Sequence, residues 1–263
     1  MAHTIFYSWQ TDTPDNCNRT FIRAALKTAI KQLKEVPEVE DSPRLDSGME
    51  GIAGSPEVAT IMFKKIESAA MFLGDVTLTG TALRSDGEKR RMPNSNVAVE
   101  MGFAAGVLGW ERVICVMNEA FGKRDEQPFD VRNRRYPINY SLAADAEPEA
   151  VEQARNGLVA DLKAALTAAE IAEFARVDRA IARLDVNCLH VISLYGGMDH
   201  FAEHSEFVEK HRHSIPRLLD LELIYTDVAD RLYAYHWTYL GKKVIQKKFP
   251  QKLEQKAAAP VEQ

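Results

Sequence analysis

Cysteine is scarce in this sequence of 263 residues, which contains only Cys17, Cys115 and Cys188 and no C-x-x-C pair. The number and the wide spacing exclude a disulfide framework and a thiolate metal site. Free thiols are typical of a reducing compartment. We therefore expect a cytoplasmic protein.

Long hydrophobic runs and an excess of positive charge are also missing. The most apolar stretch, 97–110, is interrupted by Glu100, and the first ten residues lack the basic and apolar regions of a signal peptide. We expect no membrane association. Lys and Arg total 33 against 38 Asp and Glu, for a net charge of -5, which argues against a protein that coats nucleic acid.

Strand-like and helix-like segments alternate through the first half of the chain. Residues 4–8, 71–76 and 112–117 have the composition of buried strands, and 96–108 has that of a helix. Residues 18–35 place their apolar side chains on one helical face: Phe21, Ile22, Ala25, Leu26, Ala29, Ile30 and Leu33. This alternation predicts an α/β fold with a parallel sheet and helices on both faces.

The character of the sequence changes after residue 174. The pattern predicts a first domain over 1–145, a helical linker over 146–174 and a second domain over 175–263. In the second domain, the order of strand, turn, strand and helix, with the motifs R-L-L-D-L-x-L-I and W-T-x-L-G-K, resembles the end of a winged-helix domain. The resemblance implies a small α+β fold.

Glu100 is the most informative residue. Asn94, Ser95 and Asn96 come ahead of Val97 and are typical capping residues, so Glu100 lies about one turn into the predicted helix. It shares an apolar face with Val97 and Ala104, and Gly102 beside it would let another group approach. In a doubly wound sheet this end of the helix lies near the ligand-binding edge, which favours a functional carboxylate over one that only complements the helix dipole.

Several segments in order resemble a bacterial Toll/interleukin-receptor (TIR)-like domain. They are FYSWQ-T-D, D-S-G-M-E-G-I-A-G-S-P, A-A-M-F-L-G-D-V-T and N-S-N-V-A-V-E-M-G-F-A followed by R-V-I-C-V, which together span about residues 3 to 140. The resemblance implies a flavodoxin-like fold and an NAD+ glycohydrolase of antiphage defence, with NAD as substrate and no cofactor.

The same resemblance implies residue roles. Glu100 takes the place of the catalytic glutamate. The expected nucleotide-binding residues are Ser8, Trp9, Gln10, Asp12, Asp46, Gly48, Asp75, Asn94 and Asn96. Residues 46–55 correspond to a mobile loop over the cleft, and the glycines at 48, 51 and 54 fit a flexible lid better than a P-loop because no Lys-Ser/Thr follows them.

Two other functions stay open. The glutamate helix is also similar to that of nucleoside 2-deoxyribosyltransferases, and a non-catalytic module that binds a nucleotide or a protein is the third alternative.

The two enzyme classes need different numbers of acidic groups. Expelling neutral nicotinamide from NAD needs no proton, so one carboxylate suffices. A neutral nucleoside needs an acid as well, and Asp75 or Asp12 would supply it. Asp75 could equally cap the turn after its strand, and Trp9 could stack on a base or belong to the core.

The sequence of the second domain predicts no metal site, because no cysteine motif accompanies its histidines. Residues 213–223, the candidate recognition helix, carry mixed charge, so nucleic-acid binding is expected to be weak and confined to a lysine-rich tail. Tyr233, Tyr235, Trp237 and Tyr239 form either a protein interface or the domain core. Partners are therefore expected to be further copies of this chain or a regulatory protein.

Overall fold

The computed structural model describes residues 3–36, 43–48, 57–83, 85–132, 137–198, 200–202, 209–226 and 234–252. The chain divides into two compact units, Met1–Ile171 and Ala172–Gln263. The division falls inside one continuous helix, Pro148–Ala182, which contains most of the predicted linker 146–174 and extends beyond it. No helix within these ranges is both long enough and apolar enough to cross a membrane.

The first unit is an α/β unit. Its strands are β1 (Thr4–Ser8), β2 (Arg44–Asp46), β3 (Met71–Asp75), β4 (Leu78–Leu83), β5 (Lys89–Pro93), β6 (Val113–Asn118) and β7 (Ile138–Tyr140). Its helices are α1 (Arg19–Leu33), α2 (Val58–Ser68), α3 (Ser95–Leu108), α4 (Phe129–Arg132) and α5 (Pro148–Ala182).

Five strands form the central sheet in the order β2-β1-β3-β6-β7. All four neighbouring pairs are parallel. The order confirms the predicted parallel α/β architecture and is compatible with a flavodoxin-like fold. The remaining two strands, β4 and β5, pair with each other as an antiparallel hairpin between β3 and α3.

Apolar periodicity explains the core of this unit. Helix α1 buries the seven residues of its predicted face, and every residue of β3 is buried. Phe6 of β1 stacks on Phe72 of β3 with ring centroids 6.1 Å apart. Strand β2 is short and follows Pro43, and an edge position tolerates proline at the start of a strand.

The second unit contains a small antiparallel sheet and helices. Its elements are α6 (Val186–Tyr195), β8 (His200–Ala202), α7 (Ser214–Asp220), β9 (Ile224–Thr226), β10 (Ala234–Trp237) and α8 (Tyr239–Lys248). The strand order is β8-β10-β9.

The aromatic residues of β10 belong to the core of the second unit. Tyr235 is 4% exposed and Trp237 2%, and both pack in a cluster with Phe201 and Leu218. The interface interpretation is therefore wrong for these two residues, because burial leaves them no surface for a partner. Tyr239 lies beneath Lys243, whose Nζ is 5.8 Å from the ring centroid, and Tyr233 lies outside the described residues.

Candidate functional site

The candidate site lies where the strand order of the central sheet reverses. From β1 the chain crosses to β2 on one side, and from β3 it crosses to β6 on the other, so β1 and β3 flank the switch point. Parallel α/β sheets bind ligands in the crevice beyond the carboxyl ends of such strands. Those ends carry Ser8 and Asp75.

Glu100 lies on α3, near Ser8 at the carboxyl end of β1. Its side chain is partly exposed, while Val97 and Ala104 on the same helix are fully buried. Partial burial raises the pKa of the Glu100 carboxyl, and the nearby Ser8 hydroxyl lowers it. Ser8 Oγ is buried and forms no hydrogen bond of standard geometry with a described residue, Glu100 included. The structure thus brings the end of β1 and the glutamate together.

Asn94 begins the glutamate helix. Its Oδ1 accepts hydrogen bonds from the backbone N–H groups of Asn96 at 2.9 Å and Val97 at 3.2 Å. These bonds satisfy donors that a helix leaves free in its first turn. The predicted capping function of Asn94 is confirmed. Asn96 contributes its backbone, and its side chain is exposed.

Gly102 lies on α3, two residues after Glu100. A Cβ atom added at this position would meet no heavy atom of another residue within 4 Å. No described residue packs against Gly102, so the space beside it is open, and the approach of another group to this glycine stays a prediction.

Asp75 is the centre of a buried polar network at the carboxyl end of β3. It is fully buried and accepts hydrogen bonds from Gln10 Nε2 and Asn18 Nδ2, each at 3.2 Å. The N–H of Thr77 donates to it at 3.1 Å and the Thr77 hydroxyl at 2.5 Å. Burial raises the pKa of Asp75, and these hydrogen bonds oppose the shift. The capping interpretation of Asp75 is confirmed, and no surface of this carboxylate faces solvent.

Gln10 joins this network to the loop after β1. Its Oε1 accepts from the N–H of Asp12 at 2.5 Å and from that of Thr13 at 3.1 Å. Its Nε2 donates to Thr13 Oγ1 at 2.7 Å as well as to Asp75. Only 3% of the Gln10 surface is exposed, so its buried side chain fixes the conformation of the loop through these hydrogen bonds.

Asn18, Thr77 and Asn118 complete the network, and the sequence reasoning missed all three. Asn118 Nδ2 donates to Asn18 Oδ1 at 3.0 Å and to the Leu142 carbonyl at 2.8 Å, and Thr77 Oγ1 accepts from the Asn118 N–H at 3.0 Å. The position of Asn118 in the sequence could have indicated its place in the network, because Asn118 ends a buried strand at the same edge of the sheet as Asp75.

Asp12 lies on the exposed side of the same loop. Its Oδ2 accepts from Asn94 Nδ2 at 2.7 Å and from Thr79 Oγ1 at 3.4 Å. The first of these bonds connects the loop after β1 with the beginning of the glutamate helix.

Trp9 is partly exposed and is held by Arg19, whose Cζ lies 3.6 Å from the ring centroid. A Cβ atom at Gly48 would lie 4.0 Å from the Trp9 ring, and Gly48 has a φ of +55°, which favours glycine.

Asp46 forms an ion pair of 2.8 Å with Lys65 of α2. The rest of the expected lid, 49–55, lies outside the described residues.

Across the described ranges, no group of three or more His, Cys, Asp and Glu side chains is arranged to hold a metal ion. In the second unit, the rings of His200 and His236 are 5.7 Å apart, and those of His190 and His211 are 6.4 Å apart.

Comparison of the sequence with protein-family models and with curated proteins finds no match.

Proposed function

We propose that the first unit is a TIR-like NAD+ glycohydrolase in which Glu100 is the catalytic carboxylate. The observation that supports this most strongly is the position of Glu100: a partly desolvated carboxylate beside Ser8, at the switch point of a parallel sheet. Desolvated carboxylates in clefts are frequently functional, because burial is otherwise costly for a charged group.

The chemistry requires one negative charge in this place. The bond between C1′ of the ribose and the pyridinium nitrogen breaks, its electron pair leaves with neutral nicotinamide, and positive charge develops on the ribose. The carboxylate of Glu100 stabilises that charge. Water then attacks C1′ and loses a proton, so that NAD+ and water yield ADP-ribose, nicotinamide and one proton.

Cleavage of a neutral nucleoside would need a proton donor for the departing base. Asp75 is poorly suited to this task, because it is fully buried and its oxygens accept hydrogen bonds from protein donors. The deoxyribosyltransferase-like alternative therefore depends on Asp12, which is exposed. NAD is the better fit to a site in which Glu100 is partly exposed and the second desolvated carboxylate, Asp75, is fully buried.

A substrate panel tests this function directly. The purified protein is incubated with NAD+ and with purine and pyrimidine nucleosides and deoxynucleosides, and the released bases are separated by chromatography. We expect nicotinamide from NAD+ and no free base from the nucleosides. Release of a purine or pyrimidine without nicotinamide would favour the second enzyme class, and tight NAD+ binding without turnover would favour a binding module.

The resemblance also suggests a biological setting, antiphage defence, which we include in the proposal. Bacteria that express the protein should lose NAD+ during phage infection and release fewer phage than bacteria that express Glu100→Gln. Equal phage yields and equal NAD+ levels in the two cultures would contradict this setting.

For the second unit we propose a winged-helix-like domain that controls assembly or activation of the first. Support comes from the order α6, β8, α7, β9, β10 and from the sheet order β8-β10-β9, in which helix α7 precedes the antiparallel pair β9 and β10, as we expect of a winged-helix domain. Arg217 of α7 donates two hydrogen bonds to the Arg183 carbonyl, so part of the charge of this helix serves the fold.

Light scattering and NAD+ turnover of the full chain and of a chain that ends at Ala182 test the second unit. We expect the shorter chain to differ from the full chain in oligomeric state and in rate. Tight and sequence-specific DNA binding by the full chain at physiological salt, lost in the shorter chain, would contradict the proposal.

A further inference from the structure

We propose that Asp12 and Asn94 form a clasp between the loop after β1 and the start of α3 that positions Glu100 for reaction, an inference that rests on the proposed function. The clasp is the hydrogen bond from Asn94 Nδ2 to Asp12 Oδ2, with a length of 2.7 Å. Its two residues are 82 positions apart in the sequence. One belongs to the loop after β1, and the other begins the helix that carries Glu100.

Both the oxygen and the nitrogen of the Asn94 side-chain amide form hydrogen bonds. The oxygen accepts from the backbone of Asn96 and Val97, while the nitrogen donates to Asp12. Capping a helix requires only the oxygen. The bond to Asp12 is therefore additional to the capping function and fixes the loop to the helix.

The Asp12 end of the clasp is anchored in the buried network. Its N–H donates to Gln10 Oε1 at 2.5 Å, and Gln10 Nε2 donates to Asp75 at 3.2 Å. Thr79 at the base of the β4–β5 hairpin adds a longer bond of 3.4 Å to the Asp12 carboxylate. A continuous path of hydrogen bonds thus runs from the end of β3 through the loop after β1 to the glutamate helix.

The path acts on Glu100 through a rigid element. Glu100 is six positions after Asn94, about 9 Å along the helix axis, so a shift of the helix start is transmitted to the carboxylate. Ser8, which faces Glu100, is four residues before Asp12 on the other side of the clasp. A misplacement of about 1 Å in a catalytic group can reduce a rate about 100-fold.

Three variants separate positioning from capping. Asn94→Asp keeps an oxygen that caps the helix but loses the donor and places two carboxylates together. Asp12→Asn keeps an acceptor for Asn94. The double variant Asp12→Asn/Asn94→Asp exchanges the amide and the carboxylate, so that the bond re-forms in the opposite direction at the wild-type net charge.

We expect Asn94→Asp to reduce kcat for nicotinamide release about 10- to 100-fold, with KM within about threefold of wild type and an unchanged melting temperature. Asp12→Asn, which keeps an acceptor for Asn94, should lose less of kcat than Asn94→Asp, and the double variant should recover most of the kcat that Asn94→Asp loses. Asn156→Asp is the matched control, since it adds the same charge on an exposed face of α5. Unchanged kcat in Asn94→Asp, or a double variant as slow as Asn94→Asp, would overturn the positioning role.

A second readout does not need activity. Amide hydrogen exchange in the loop that contains Asp12 and Thr13 should become faster in Asn94→Asp and return to the wild-type rate in the double variant. Unchanged exchange in Asn94→Asp would overturn the clasp whether or not NAD+ is cleaved. If the variants show these exchange rates but the wild-type protein cleaves no substrate, the clasp exists and the proposed function is contradicted, together with the positioning of Glu100.

Discussion

Replacement of Asp75 by Asn is a strong test of the buried network at the edge of the sheet. The carboxylate accepts hydrogen bonds from Gln10 and Asn18 on Oδ2 and from Thr77 on Oδ1. An Asn side chain offers one acceptor and one NH2 group. If its oxygen remains with Thr77, its nitrogen faces the donors of Gln10 and Asn18.

The expected loss of stability follows from those two donors. A buried donor left without an acceptor costs about 1 to 3 kcal/mol, so two of them cost about 2 to 6 kcal/mol. We expect the lower half of this range, because a neutral Asn does not carry the desolvation cost of the carboxylate.

The effect should also depend on pH. Burial raises the pKa of Asp75 above its ordinary value of 3.8, so the folded protein binds this proton more tightly than the unfolded chain does. The contribution of Asp75 to stability is then complete below pH 3.8 and is lost as the pH rises through the folded pKa. The stability difference between wild type and Asp75→Asn should therefore be larger at pH 4 than at pH 7.

Urea unfolding, combined with hydrogen exchange of peptides from β1 and β3, measures this change in the first unit. Asp161→Asn is the control, because Asp161 lies exposed on α5 and should change the free energy of unfolding by less than about 0.5 kcal/mol. An Asp75→Asn protein within 0.5 kcal/mol of wild type would refute the assignment of Asp75 to the structural network.

Three further substitutions have definite outcomes. Ser8→Ala removes the group that lowers the pKa of Glu100, so the acidic limb of kcat/KM for nicotinamide release should move to higher pH; an unmoved limb would contradict the contact. Gly241→Ala would place a Cβ atom 2.1 Å from the Leu223 carbonyl oxygen and should destabilise the second unit by at least about 2 kcal/mol. Gly102→Ala enters open space in a helix and should stabilise the first unit by up to about 1 kcal/mol. Calorimetry checks both glycine variants, and the opposite order of melting temperatures would contradict them.

The features that depend on local patterns could be predicted from the sequence. The buried face of α1 follows from apolar residues at helical spacing, and β3 follows from a short apolar run that ends in Gly-Asp. The β4–β5 hairpin could not be predicted in this way, because it lacks such a local pattern. Its strands, LTGTAL and KRRMP, show no apolar alternation, because much of the hairpin is exposed.

The polar network could not be predicted from local patterns. Asn18, Thr77 and Asn118 are separated by as many as 100 residues, and they meet because three parallel strands end at one edge. The sequence also left two interpretations of Asp75 open. Only the surrounding donors of Gln10, Asn18 and Thr77 distinguish them.

The most direct test of the central claim is nicotinamide release from NAD+ by wild type and by Glu100→Gln, measured on proteins with equal melting temperatures. Glu152→Gln, an exposed position on α5, controls for the loss of one negative charge. The account predicts that Glu152→Gln cleaves NAD+ at the wild-type rate and that Glu100→Gln is slower by at least about 100-fold, as is typical when a group that stabilises transition-state charge is removed. A folded Glu100→Gln protein that releases nicotinamide at a near wild-type rate would contradict it.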